Sequence, residues 1–215
     1  MNPEAGRRDR GGEFSFSRIK AAAELPLFPR LPAICRALEE KGIAVVRADP
    51  GSGKSTLVPL ALMEWRDGKS AAPERPGRII MLEPRRAAVL GIASRIAELL
   101  GEEPGERAGY SVRLERRVSG KTRIEVVTGG LLVRRMQENP ELSGVAVLIF
   151  DEFHERSLYA DLALAFALDL RRMGSSLRIL VMSATMDAPK IAAFIDSAEG
   201  RGPGKKTPLL DCPGR

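Results

Sequence analysis

Residues 43–65 constrain the fold of this chain more tightly than any other stretch. Residues 43–48 form a short, largely apolar run, the length of a strand buried on both faces of a parallel sheet. Asp49-Pro50-Gly51-Ser52-Gly53-Lys54-Ser55-Thr56 follows. Leu57, Leu60, Ala61 and Trp65 then line a helix, with Pro59 in its first turns, where a missing N–H costs least. Glycines between strand and helix let the backbone curl until its N–H groups converge, and the helix start adds positive partial charge. Such a loop cradles a nucleoside triphosphate. Lys54 is expected to reach the β and γ phosphates, and the Ser55 hydroxyl to ligate magnesium. Residues 49–56 are thus the candidate ATP site, with ATP and Mg2+ as cofactors. The full pattern is G-x-x-x-x-G-K-[ST], and Ala48 takes the first glycine position. The plainer alternative is a glycine-rich turn before a helix.

The rest of the chain repeats this alternation. Leu31, Ile34 and Leu38 predict a helix that stops before Gly42. Strands are predicted over 78–82, 110–114, 122–128, 145–150 and 177–182. Helices are predicted over 86–100, 131–137, 155–172 and 188–197, with a loop over 67–77. The fold class is therefore α/β, a mostly parallel sheet with helices on both faces. Ligands of such sheets bind beyond the carboxyl ends of the strands. At 215 residues the chain fits one domain with ragged ends. Residues 1–24 are expected to be flexible, 25–198 to form the domain, and 199–215 to be an extended tail.

A second element belongs at the end of the strand over 145–150. There Asp151-Glu152-Phe153-His154 follows six apolar residues. Hydrolysis of a phosphoanhydride needs one acid to hold the metal and another group to position water. Asp151 suits the first role, through a metal-bound water, and Glu152 the second. An acid pair there could simply cap the next helix. Combined with Lys54 it points to catalysis, with Lys54, Asp151, Glu152 and His154 as candidate catalytic residues and Ser55, Asp151 and Glu152 as candidate Mg2+ ligands. His154 is the single histidine of the chain. A lone histidine is usually packed or solvated, but its place two residues after Glu152 favours a bond to Ser183 or Thr185 on the next strand.

These segments together resemble the DEAH-box helicases. Asp151-Glu152-Phe153-His154-Glu155-Arg156 resembles motif II in the form of the bacterial HrpB-type branch. Residues 48–56 resemble motif I, Leu82-Glu83-Pro84-Arg85-Arg86 motif Ia, and 128–132 motif Ib. Gly109-Tyr110-Ser111-Val112-Arg113 resembles the family's Gly-Tyr-x-Val-Arg segment, and Ser183-Ala184-Thr185 motif III. The resemblance runs from about Leu25 to the end of the sequence. It implies a RecA-like P-loop NTPase domain, the first of two in an ATP-dependent helicase. It implies that Pro84, Arg85, Arg86, Arg113, Thr128 and Gly129 contact nucleic acid, with single-stranded RNA expected ahead of DNA. Ser183, Ala184 and Thr185 would couple hydrolysis to strand movement. Gly129 departs from the acid usual in motif Ib. The second RecA-like domain, with its arginine fingers, is expected beyond Arg215. Nucleotide binding with weak hydrolysis and no unwinding is the expectation for these residues alone.

A net charge of +6 agrees with a polyanionic partner without requiring one. Arg116 and Arg117 extend the basic series, as a strand path or as solvated charge, and Glu115 offers them a local ion pair. Two distant cysteines, Cys35 and Cys212, make no disulfide framework and no zinc pattern, which fits a cytoplasmic protein. No apolar stretch suits a signal peptide or a bilayer span, so no membrane partner is expected. The alternatives are another P-loop NTPase, such as a small-molecule kinase, or a binding module with a vestigial loop. A kinase needs a lid and an acceptor site, which the sequence does not offer.

Overall fold

Six of the strands carry unbroken or nearly unbroken buried runs, and such runs need cover on both faces. The computed structural model describes residues 23–69, 77–185, 187–202 and 205–212 and supplies that cover. In chain order its elements are α1 (Leu31–Lys41), β1 (Ile43–Ala48), α2 (Lys54–Lys69), β2 (Arg78–Leu82), α3 (Arg86–Leu100), β3 (Ala108–Val112), β4 (Glu115–Arg117) and β5 (Ile124–Val127). They continue with α4 (Gly129–Glu138), β6 (Val145–Phe150), α5 (Leu158–Arg172), β7 (Arg178–Ser183), α6 (Ala188–Ala198) and β8 (Leu209–Cys212). Short 3-10 turns stand at Phe28–Arg30 and Phe153–Glu155.

The strands form one sheet in the order β4-β3-β5-β2-β6-β7-β1-β8. Every pairing is parallel except the antiparallel β3–β4 hairpin at one edge. Alternate strand residues feed two cores. Ala44, Val46, Ile79, Met81, Val147 and Ile149 pack with α1, α2 and α3. Ile43, Val45, Ile80, Leu148, Phe150 and Val181 pack with α4, α5 and α6. Because β7 lies between β6 and β1, the residues after β7 stand between those after β6 and the loop after β1. The sheet thus lines up Glu83, Asp151, Ala184 and Asp49 along one edge.

The expected α/β fold holds, with local differences. β4 was not anticipated, because Glu115-Arg116-Arg117 has no apolar pattern. β3 ends at Val112 rather than at residue 114, and Leu114 takes a left-handed φ of 66° in the turn. α4 starts two residues early, at Gly129. The predicted helix over 155–172 begins instead at Leu158, where the Ser157 hydroxyl accepts from the Ala160 N–H. α2 runs on to Lys69, into the predicted loop, whose residues 70–76 lie outside the described residues. Pro59 is the sixth residue of α2, so it withholds an N–H from the Ser55 carbonyl rather than occupying a free position. In the expected tail, β8 joins the sheet beside β1, and Arg47 pairs with Asp211 across that edge. The flexible segment expected before residue 24 lies almost wholly outside the described residues. Cys35 and Cys212 are buried, and neither takes part in a disulfide.

One polar network is built into the sheet itself. Glu125 of β5 is fully buried and takes both Arg135 guanidinium nitrogens, at 2.8 and 3.0 Å, with the Ser111 hydroxyl at 2.6 Å. Arg78 adds a second cation at 3.6 Å. Hydrogen bonds from Arg135 and Ser111 outweigh burial and hold the Glu125 carboxyl below the usual range. The pair ties α4 to β5. Arg135→Met is expected to cost about 2–4 kcal/mol in urea unfolding, because a buried charge loses its main partner. Arg135→Met with Glu125→Leu should recover most of it. An undiminished stability in the single variant would contradict this.

Candidate nucleotide and nucleic-acid site

Two glycines make the loop after β1 possible. Gly51 and Gly53 have φ of 76° and 92°, a region closed to most side chains. A Cβ on Gly53 would also come within 2.8 Å of Leu25. Ala48, in contrast, is the last buried residue of β1 and has no positive φ, so an alanine serves at the first glycine position. Within the loop the Ser52 N–H bonds to the Asp49 carbonyl at 3.2 Å, and the Thr56 and Leu57 N–H groups bond to the Gly53 carbonyl at 3.2 and 2.8 Å. Asp49, Pro50 and Gly51 are exposed, while Ser52 and Lys54 are buried. The Ser52 hydroxyl is enclosed with no hydrogen-bond partner.

Lys54 turns toward the residues after β6. Its Nζ lies 2.6 Å from Glu152 Oε1, with the lysine side chain only 4% exposed. Glu152 sits in the left-handed region, φ 47° and ψ 38°, so the chain reverses as it leaves Asp151. That reversal points Glu152 back at the loop. Asp151 is 1% exposed. Its Oδ1 accepts the Glu152 N–H at 2.9 Å, and its Oδ2 has no hydrogen-bond donor. Burial pushes the Asp151 carboxyl up to about 6, although the neighbouring Ser55 hydroxyl and Lys54 pull it down.

His154 meets β7 by a different atom from the one expected. Its Nδ1 faces the Ala184 N–H at 3.4 Å, between Ser183 and Thr185, rather than either hydroxyl. The same Nδ1 is 3.3 Å from Glu152 Oε2. A neutral Nδ1 accepts from Ala184, whereas a protonated one donates to Glu152, so the two contacts exclude each other. Ser183 is fully buried, and its hydroxyl accepts the Thr185 N–H at 3.3 Å and lies 3.4 Å from the Thr185 hydroxyl. Lys54, Ser55, Asp151, Glu152, His154 and residues 183–185 therefore converge.

The expected nucleic-acid residues lie on the neighbouring strand ends. Pro84 and Arg85 follow β2, and Arg86 opens α3. Arg86 reaches Glu115 of the hairpin at 3.2 Å, and Glu115 also accepts from the Tyr110 hydroxyl at 2.6 Å. Glu115 is thus taken by Arg86 and Tyr110. Arg113, Arg116 and Arg117 are exposed beside it. Thr128 is the N-cap residue of α4, with no hydrogen bond from its side chain to the helix. Gly129 has a steric reason: a Cβ there would stand 2.8 Å from the Tyr159 Cβ. Tyr159, from α5, fills the space an acid would need.

One residue was missed. Glu83, at the end of β2, is 2% exposed and accepts the Arg85 N–H at 3.2 Å. Burial, and the charge of Asp151, push its carboxyl up to about 7. An acid closing an apolar strand beside the strand of the acid pair was the available signal.

Comparison with known proteins decides the family. The model of the DEAD/DEAH box helicases matches residues 31–194. The chain belongs to the DEAD/DEAH box helicase family. Among curated relatives of this family, it is 45% identical over 177 residues to the Escherichia coli ATP-dependent RNA helicase HrpB, covering 82% of this chain and 21% of that protein. It is 35% identical over 181 residues to the probable ATP-dependent RNA helicase DHR2 of Saccharomyces cerevisiae, covering 84% and 24%. A crystal structure of E. coli DEAH/RHA helicase HrpB matches with a TM-score of 0.76 at 42% identity, over 89% of this chain and 23% of that one. A second, described as the E. coli DExH-box NTPase HrpB, matches with a TM-score of 0.75 at 43% identity, over 89% and 22%. The chain thus spans between a fifth and a quarter of the length of these relatives.

Glu83 and Asp151 bind protons more tightly folded than unfolded. Their contribution favours the fold at low pH and is lost as pH rises through about 7 for Glu83 and about 6 for Asp151. Glu83→Gln keeps an acceptor for Arg85 but removes the charge. It should exceed the parent by about 1–3 kcal/mol in urea unfolding at pH 8. Near the ordinary value of 4.5 the difference should vanish. Equal stabilities at both pH values would contradict the buried, raised carboxyl.

Proposed function

We propose that this chain is the ATP-binding, RecA-like half of a DEAH-box helicase motor acting on nucleic acid, with single-stranded RNA preferred to DNA. The observation that carries the reading is the 2.6 Å contact between Lys54 and Glu152, which joins the phosphate loop to the Asp-Glu turn around the buried Asp151. A small-molecule kinase does not call for an Ala184 N–H aimed at His154, whereas a motor that reports its nucleotide state does. The names of the relatives support RNA as the strand.

In this reading Lys54 leaves Glu152 for the β and γ phosphates when ATP enters, and Glu152 is freed to position water. Residues Asp49, Pro50, Gly51, Ser52, Gly53, Ser55 and Thr56 wrap the phosphates. Magnesium fits the site: Asp151 Oδ2 is a buried hard oxygen without a donor, next to the Ser55 hydroxyl. Among the described residues no group of three or more His, Cys, Asp or Glu forms a metal cage, as suits an ion held largely by phosphates and water. Ser55 and Asp151, with Glu152 nearby, would hold the ion, which neutralises charge on the phosphates when bound. In this reading the motor domain begins near residue 25 and runs past the expected boundary at 198 to include β8, which belongs to its sheet. Among the described residues no helix is long and apolar enough to cross a membrane.

Hydrolysis by these 215 residues alone should be slow, because an arginine finger from a second domain is worth about 10³–10⁵ in rate. Lys54→Ala should weaken ATP binding at least about tenfold in calorimetry, since it removes a charge-assisted contact. Robust RNA-stimulated ATPase from the parent chain would sink the half-site reading. Arg85→Ala should weaken RNA binding and reduce its salt slope by about one, the signature of one lost phosphate contact. A salt-independent affinity would contradict a phosphate grip.

A further inference from the structure

Arg85 and Glu155 make a contact that the site as described leaves without a role. Arg85 Nη2 lies 2.7 Å from Glu155 Oε1, and Arg85 Nε donates to Glu155 Oε2 at 3.2 Å. The arginine side chain is 71% exposed and the glutamate 26%. Glu155 closes the 3-10 turn Phe153–Glu155, which is flanked by two non-glycine residues in the left-handed region, Glu152 and Arg156. Phe153 anchors the turn, buried and edge-on to Phe150 at 6.0 Å. Arg156 lies 5.9 Å over the Phe153 ring and pairs with Asp161 at 3.1 Å. One short turn therefore touches three sites: Arg85 through Glu155, Lys54 through Glu152, and the Ala184 N–H through His154.

We propose that Glu155 is a positioning residue: it holds the Arg85 guanidinium off the nucleic-acid backbone until a phosphate displaces it, and the exchange passes strand occupancy to the turn that carries Glu152. This rests on the reading that Arg85 grips the strand. A guanidinium offers one two-pronged face to a carboxylate or to a phosphate, so the two anions compete for it. An exposed pair is weak enough to lose that competition to a polyanion. The Arg85 backbone does not need to move, because Glu83 holds its N–H. The freed Glu155 carboxylate adds unshielded negative charge beside Glu83, near Asp151 and Glu152. Repulsion then acts on a turn already held between two strained residues. The link is reciprocal: nucleotide that moves Glu152 must alter the affinity for the strand.

The test measures binding of the 215-residue chain to a fluorescent single-stranded oligouridine at fixed ionic strength. The variants are Glu155→Gln, Arg85→Ala and the double variant, each with and without a non-hydrolysable ATP analogue and magnesium. Glu155→Ala serves if Glu155→Gln is not recovered folded. Glu155→Gln is expected to tighten RNA binding about two- to fivefold, the worth of one exposed ion pair. Arg85→Ala weakens it, and the double variant behaves as Arg85→Ala alone. The analogue changes RNA affinity in the parent, and that ratio moves toward one in Glu155→Gln. An unchanged or weaker affinity in Glu155→Gln overturns the inference, as does a gain that persists without Arg85, which would reflect net charge alone. A parent ratio of one overturns the coupling. If the parent does not bind RNA, or Arg85→Ala has no effect, the functional reading falls and the inference with it.

Discussion

The contact between Lys54 and Glu152 is the interaction on which the rest of this structure depends. A lysine that is 4% exposed needs a counter-charge, and in the described residues Glu152 supplies it at 2.6 Å. Glu152 reaches the loop because its backbone turns left-handed straight after β6. The loop reaches Glu152 because two glycines fold it over the end of the sheet. Both depend on a sheet order that places β7 between β1 and β6. That order also puts Ser183 and Thr185 where any movement of the turn is felt, through His154. In the proposed account the phosphates of ATP replace Glu152 as the partner of Lys54.

Much of this was legible in the sequence, for physical reasons that can be named. Buried parallel strands are continuous apolar runs, so β1, β2, β6 and β7 stood out. The phosphate loop was legible because its chemistry demands glycines and a lysine at fixed places. β4 was not, because Glu115-Arg116-Arg117 pairs through its backbone at an exposed edge and needs no apolar side chain. The start of α5 was placed three residues early, because Glu155 closes a 3-10 turn and Arg156 takes a left-handed φ before Ser157 caps the helix.

Glycine and glutamate positions show a subtler limit. Gly129 looked like a departure from motif Ib, yet a side chain there would collide with Tyr159, thirty residues away in sequence. Glu83 stood in the segment that resembles motif Ia with no role of its own. Its hold on the Arg85 N–H is local, two residues on, but its burial beside Asp151 follows only from the pairing of β2 with β6. Long-range packing of this kind leaves no local pattern to read.

The central claim is that Asp151 and Ser55 complete a magnesium-dependent ATP site around Lys54. Titration calorimetry of ATP into the parent chain and into Asp151→Asn, each with Mg2+ and with EDTA, tests it most directly. The account predicts that Mg2+ tightens ATP binding to the parent and that Asp151→Asn loses most of that dependence. Equal affinities for the parent in Mg2+ and in EDTA would contradict it.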